Sequence, residues 1–218
     1  MIRRNTRWSC LAALVVSATA CFAQHADHMN HRFDNAAEWA KTFDDPARDA
    51  WQMPDKVIAA LNLQAGQAVA DVGSGTGYFS VRIAKSSPTL KVYGVDIEPS
   101  MVDYLRTRAA KEHLSNITAV QAQADSPNLP VAVDLVLIVD TYHHIPNRVD
   151  YFRKLATSLK AGGRVAVIDF KPDASMGPPK DFRLTAKKIR TELAQAGFQQ
   201  VEKFDFLPQQ QFLIFAKR

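Results

Sequence analysis

Three glycines at alternate positions, Gly73, Gly75 and Gly77, follow directly on the apolar run Val69-Ala70-Asp71-Val72. Behind them Phe79, Val81, Ile83 and Ala84 recur at a spacing that suits a helix. Strand, glycine turn and helix, in that order, open a nucleotide-binding α/β domain. Glycine is needed where a ligand approaches the backbone too closely for a Cβ, or where φ is positive. The helix behind the turn aims its free N–H groups and positive dipole end at whatever sits above. Asp96 closes a second apolar run, Lys91 to Val95. A carboxylate at that strand tip accepts both hydroxyls of a ribose, which suits any adenosine ligand. His143 and His144 come shortly after a third run, Val133 to Val139. Imidazole is the natural proton acceptor at neutral pH.

Positioning these groups takes alternating strands and helices, and the chain supplies them. The pattern predicts a helix over Tyr78–Ser86, a strand over Lys91–Asp96 and a helix over Ser100–His113. A strand over Ile117–Ala122 and another over Val133–Val139 follow. The second of these is almost continuously apolar, as a buried parallel strand must be. A helix over Tyr151–Leu159, a strand over Val165–Phe170 and a helix over Leu184–Ala196 come next, with Gly197 as C-cap. Two strands, Val201–Leu207 and Gln211–Lys217, end the chain. Ahead of this core lie a helix over Ala36–Phe43, a break at Asp44-Asp45-Pro46 and a second helix over Asp49–Leu61. The expected fold is α/β, a doubly wound seven-stranded sheet, mostly parallel, with a C-terminal antiparallel hairpin.

The 218 residues are enough for one sizeable domain, read as residues 36–218. Residues 1–23 read as a secretory signal: Arg3, Arg4 and Arg7 precede an apolar stretch from Leu11 to Ala20, too short to span a bilayer. The chain is therefore expected to be exported, with a periplasmic location. Three alternatives stay open: acylation at Cys21, an uncleaved membrane anchor, and a cytoplasmic product begun at Met29. Both cysteines, Cys10 and Cys21, lie in this leader, which excludes thiol chemistry in a domain cleaved after Ala23. Losing three arginines lowers the formal charge from +5 to +2, so no polyanionic partner is expected. His25, His28 and His31 sit three apart within residues 24–35. With no second ligand cluster, a flexible tail is preferred to a metal site, and no metal is assigned.

Asp71-Val-Gly73-Ser-Gly75-Thr-Gly77 resembles the first motif of class I S-adenosylmethionine-dependent methyltransferases. The likeness extends over roughly Asp49 to Arg218, and the terminal hairpin belongs to it. It implies S-adenosylmethionine as cofactor. Asp71, Gly73, Gly75 and Gly77 would surround its methionine part, and Asp96 and Ile97 would hold the ribose and one adenine face. Asp125 would meet the adenine amino group, and Asp140 would lie near the methionine amino group. His143 and His144 resemble the His-His pair of small-molecule members and are the candidate catalytic residues. Trp51 and the proline-rich segment from Lys171 to Pro179 are expected near an acceptor. Lys171, Lys180 and Arg183 could meet an anionic group there or belong to a solvated loop.

A small-molecule acceptor is expected, because the Asn-Pro-Pro or Asp-Pro-Pro motif of nucleic-acid enzymes is replaced by Asp140-Thr141-Tyr142-His143. No basic, aromatic-rich stripe appears either. A monomer or weak oligomer is expected. Two other readings stand beside this one. A non-catalytic binder of the cofactor or its product would keep the same fold. An NAD-dependent oxidoreductase would need a third glycine where Ser80 stands.

Overall fold

The computed structural model describes residues 33–218. The leader, its two cysteines and the histidines at 25, 28 and 31 lie outside the described residues. The strands are β1 (Ala68–Val72), β2 (Lys91–Asp96), β3 (Ile117–Gln121), β4 (Val133–Val139), β5 (Leu159–Phe170), β6 (Phe198–Phe204) and β7 (Gln210–Lys217). They form one sheet in the order β3-β2-β1-β4-β5-β7-β6. β1 to β5 pair in parallel, whereas β7 runs antiparallel to both β5 and β6. This is the expected doubly wound sheet with its closing hairpin.

Helices cover both faces, because side chains on one strand point alternately to the two sides. On one face, Phe152 and Leu155 of α6 (Arg148–Leu155) and Ile189 and Leu193 of α7 (Ala186–Gln195) join a core with Val136, Ile138, Val165 and Val167. On the other, Phe79 and Ile83 of α4 (Tyr78–Ser86) join Leu135, Leu137, Ala166 and Ile168. α5 (Pro99–Lys111) packs Leu105, fully buried, close to Gly77 and Gly94. With both faces covered, β1 and β4 carry one polar residue each, Asp71 near the carboxyl end of β1 and Asp134 near the amino end of β4.

Register sets the site. Val72 is level with Val95 of β2 and Ile138 of β4, and Val139 is level with Ile168 of β5. Asp71, Asp96, Asp140 and Asp169 therefore gather along one edge of the sheet. β7 begins at that edge because it is antiparallel, so Gln210 and Gln211 stand beside Phe170 and Asp169.

The N-terminal helices depart from expectation. Residues 49–61 are not one helix but α2 (Asp49–Gln52) and α3 (Pro54–Ala60), which follow α1 (Ala36–Phe43). Met53 between them is left-handed, with φ 44° and ψ 57°. A proline crowds the residue before it out of the right-handed helical region, and Pro54 does so here. Other boundaries shift by a few residues. α6 starts at Arg148 behind a left-handed Asn147 and yields to a 3-10 turn at Ala156–Ser158. β5 starts at Leu159 and bulges, since Val133 pairs with Leu159 but Leu135 already pairs with Arg164. β6 begins at Phe198, whose buried ring follows directly on Gly197.

Candidate active site

The glycine turn is built from backbone. Gly73, Gly75 and Gly77 have φ of 76°, 53° and 92°. A Cβ on Gly73 would fall 2.1 Å from Thr141 Oγ1, so the turn after β1 is pressed against the turn after β4. The Gly73 and Ser74 amides donate to Val95 O at 2.8 and 3.0 Å, tying the turn to β2. Gly77 caps α4 with no side chain over its first N–H groups, which leaves the positive helix end open toward the sheet edge. The Phe43 ring roofs the turn, 3.2 Å from where a Gly75 Cβ would stand.

Two acids support this turn. Asp71 is buried and accepts a 2.7 Å hydrogen bond from Ser80 Oγ. Ser80 thus occupies the place of a dinucleotide-site glycine and binds the motif's own carboxylate. Burial pushes the Asp71 carboxyl up to about 6 against the Ser80 hydrogen bonds. Asp96 accepts from Gly75 N at 2.8 Å and Glu98 N at 3.0 Å. Burial raises its pKa, and those amides oppose the shift. A carboxylate has about four lone-pair directions, so the two amides leave capacity for a diol. Ile97, the next residue, leaves 53% of its surface exposed. An apolar side chain held open beside such an acid has the character to cover one face of a flat ring.

The second group of residues follows β4. Asp140 is left-handed at φ 52°, a conformation that Asp tolerates better than most residues. Its Oδ1 accepts from Gln210 Nε2 at 2.6 Å and its Oδ2 from Gln52 Nε2 at 3.3 Å. The Arg48 guanidinium lies 3.7 Å away and also stacks over the Tyr78 ring, 4.2 Å from its centroid. Burial, then the charge of Asp169, push the Asp140 carboxyl up to about 6, while Arg48 and the two amides hold it down. Burial lowers the Arg48 pKa, with Asp140 the main opposing charge. α2 delivers both Arg48's neighbour Gln52 and the half-buried Trp51, whose ring lies 5.8 Å from that of Phe170.

His143 is buried in the 3-10 turn Tyr142–His144. Its Nδ1 lies 2.9 and 3.0 Å from the two oxygens of Asp169, and its backbone N donates to Asp169 Oδ2 at 3.1 Å. The His144 ring is 4.1 Å from His143 and 6.3 Å from Phe33, which packs on Trp39 and Phe43.

The structure thus brings nine of the ten site residues named from the sequence to one edge. Asp125 stands apart: its exposed carboxylate bonds Lys154 of α6, which lowers its pKa. Lys171 and Arg183 are also committed elsewhere. Lys171 Nζ donates to Leu207 O at 2.8 Å, and Arg183 Nε donates to Pro178 O at 2.7 Å. Both staple the loop that follows β5. Arg48, Gln52, Asp169 and Gln210 were missed in the sequence. Asp169 had a signal, since it stands at the end of an apolar strand as Asp71 and Asp96 do.

A glycine turn, a strand-tip acid and a seven-stranded sheet closed by an antiparallel β7 define a Rossmann-like nucleotide-binding protein of the class I methyltransferase type. A family profile described as a methyltransferase domain matches residues 63–211, and the chain belongs to this family. It is 31% identical over 142 residues to the 27-O-demethylrifamycin SV methyltransferase of Amycolatopsis mediterranei, an alignment covering 64% of this chain and 50% of that protein. It is 30% identical over 135 residues to the demethylmenaquinone methyltransferase of Tropheryma whipplei, covering 62% and 54%. The chain spans about half the length of these curated relatives. A SAM-dependent methyltransferase structure from Aquifex aeolicus superposes with a TM-score of 0.77 at 23% identity, covering 84% of this chain and 99% of that one. Family and fold together make S-adenosylmethionine the cofactor, and the dinucleotide reading falls away. No helix among the described residues is long and apolar enough to cross a membrane, and no metal-holding cluster occurs among them.

Proposed function

We propose that the chain catalyses S-adenosylmethionine-dependent methyl transfer to a small-molecule acceptor by in-line displacement. The carrying observation is Asp96: a carboxylate fixed by the Gly75 amide, with an exposed Ile97 beside it. On this reading Asp96 holds the ribose diol and Ile97 covers an adenine face. The turn at Gly73, Gly75 and Gly77 lets the methionine part lie against backbone, with Asp71 behind it. Asp140 receives the methionine ammonium, and Asp125 would have to leave Lys154 to serve the adenine amino group. When bound, the cofactor supplies a methyl group on a cationic sulfur, already activated for displacement. The protein's work is then to align an acceptor and exclude water. Trp51, Phe170, Phe33 and the two histidines are the side chains gathered around the acceptor end.

The relatives' printed substrates, a rifamycin precursor and demethylmenaquinone, are small organic molecules, which supports that acceptor class. Export is proposed on the basic and apolar pattern of residues 1–23, and fractionation of cells carrying the tagged chain checks it. Calorimetry with S-adenosylhomocysteine, followed by transfer of labelled methyl to candidate acceptors, tests the function. Micromolar binding with turnover is expected. Binding without turnover would leave a non-catalytic binder, and no binding by folded protein would remove the cofactor assignment.

A further inference from the structure

We infer that His143 is the general base of this site through Nε2, that Asp169 is its positioning residue, and that the acceptor atom is therefore a hydroxyl oxygen on an aromatic or enolic ring. The inference rests on the methyl-transfer reading above.

Asp169 is 1% exposed; it accepts from His143 N at 3.1 Å and from its own neighbour Phe170 N at 2.8 Å, and His143 Nδ1 lies 2.9 Å from its Oδ1. A carboxylate held this way only accepts, so Nδ1 must carry its hydrogen. The neutral imidazole then has its lone pair on Nε2, across the ring from β5. Among the described residues nothing donates to or accepts from Nε2. A buried imidazole locked in one tautomer by a buried carboxylate is a poor device for stability alone, since apolar groups of that size would fill the space without desolvating a charge. It is a good device for taking a proton and stabilising the imidazolium that results. The charges whose fields reach Asp169 from neighbouring elements are Asp140 after β4 and Arg148 of α6. The His144 ring lies tilted by 40° against the same ring, with centroids 4.1 Å apart.

An acceptor that needs such a base is one that must lose a proton as it attacks. A neutral aromatic amine or a carboxylate already offers a lone pair. A phenol or enol oxygen also has lone pairs, but it is a weak nucleophile until its proton is removed. The proton leaves the acceptor oxygen for Nε2, the oxygen's electron pair forms the bond to the methyl carbon, and the carbon–sulfur bond breaks with its pair going to sulfur. The imidazolium afterwards yields its proton to water. Trp51, Phe170 and Phe33, ringed around this edge, favour a flat apolar body on the acceptor.

Imidazole nitrogen NMR on the full chain reads the tautomer without any acceptor. His143 is expected in the Nδ1–H form, and Asp169→Asn should shift population toward Nε2–H. An Nε2–H form in the wild type, or an unchanged distribution in the variant, overturns the dyad. Transfer assays with labelled S-adenosylmethionine then use catechols, hydroquinones and naphthols against anilines and thiophenols of matched size. Label is expected on the hydroxyl compounds. His143→Gln should lower kcat by about 100-fold and flatten its rise with pH, with affinity for S-adenosylhomocysteine unchanged. Label confined to amines or thiols, or absent from every hydroxyl compound while S-adenosylhomocysteine binds, overturns the inference and leaves the function standing. Failure to bind S-adenosylhomocysteine overturns the function itself, and the tautomer still decides the state of the imidazole.

Discussion

The β1–β2 end of the sheet edge and the β4–β5 end perform different parts of one task with different materials. At the β1–β2 end the working groups are backbone amides, three positive-φ glycines and two carboxylates that brace them. The whole device comes from a continuous stretch, residues 71–80, plus one acid from the neighbouring strand. At the β4–β5 end the working groups are side chains drawn from distant segments: Gln52, Asp140, His143, Asp169 and Gln210. The difference follows from what each end must recognise. An adenosine ligand never changes, so a rigid backbone cradle suffices. On the proposed reading an acceptor changes from one family member to the next, so His143 and Asp169 at its end are replaceable side chains, while Asp140, proposed to meet the cofactor's ammonium, marks where the two ends join.

The largest expected effect lies on the cradle side. Gly73→Val would set a branched side chain at φ 76° against Thr141, combining backbone strain with a hard overlap. Strain and overpacking of this kind cost about 3 kcal/mol together, and urea unfolding should show at least that loss with cofactor binding abolished. A smaller effect is expected at the other end. Trp51→Ala should raise the acceptor KM by about tenfold, the scale of one lost aromatic contact, with no change in affinity for S-adenosylhomocysteine by calorimetry. Equal losses of both affinities would show that the two ends are one unit.

Asp140 gives a prediction in pH. Its carboxyl, like that of Asp71, stays protonated in the fold up to about 6, whereas an unfolded Asp has already ionised. The fold therefore binds more protons than the unfolded chain between about pH 4 and 6. Each of these groups contributes stability that is complete below the unfolded pKa and is lost as pH rises through the folded one. In Asp140→Asn the fall in unfolding free energy across that window should become shallower, by denaturant titrations at several pH values. The smallest effect belongs to the loop after β5. Arg183→Ala removes the cap on Pro178 O and leaves the sheet untouched. Cofactor affinity should stay the same, while limited proteolysis between residues 171 and 183 becomes faster.

The contrast also explains what the sequence made legible. The cradle was readable because Asp71 to Ser80 carries its geometry locally, in glycine spacing and an apolar strand. The strands and the closing hairpin were readable from alternating apolar runs, whereas their order in the sheet is set by long-range pairing. The helix break at Met53 was readable in principle, since Pro54 dictates it, yet the apolar spacing of Val57, Ile58 and Leu61 masked it. Gln52 and Gln210 were not readable: Gln210 meets Asp140 because β7 is antiparallel and begins at the active edge, and Gln52 because α2 packs against that same edge. Asp169 lay between these cases, a strand-end acid whose partner His143 is supplied by the β4–β5 register.

The division of labour between the two ends is tested most directly by the dissociation constant of S-adenosylhomocysteine for the wild type, Asp96→Ala and His143→Gln, measured by calorimetry under one set of conditions. Asp96→Ala is expected to weaken binding by about 100-fold, the value of two charge-assisted hydrogen bonds of about 1.4 kcal/mol each, and His143→Gln to stay within about twofold of the wild type. Wild-type affinity in Asp96→Ala, or a loss in His143→Gln as large as that in Asp96→Ala, would contradict it.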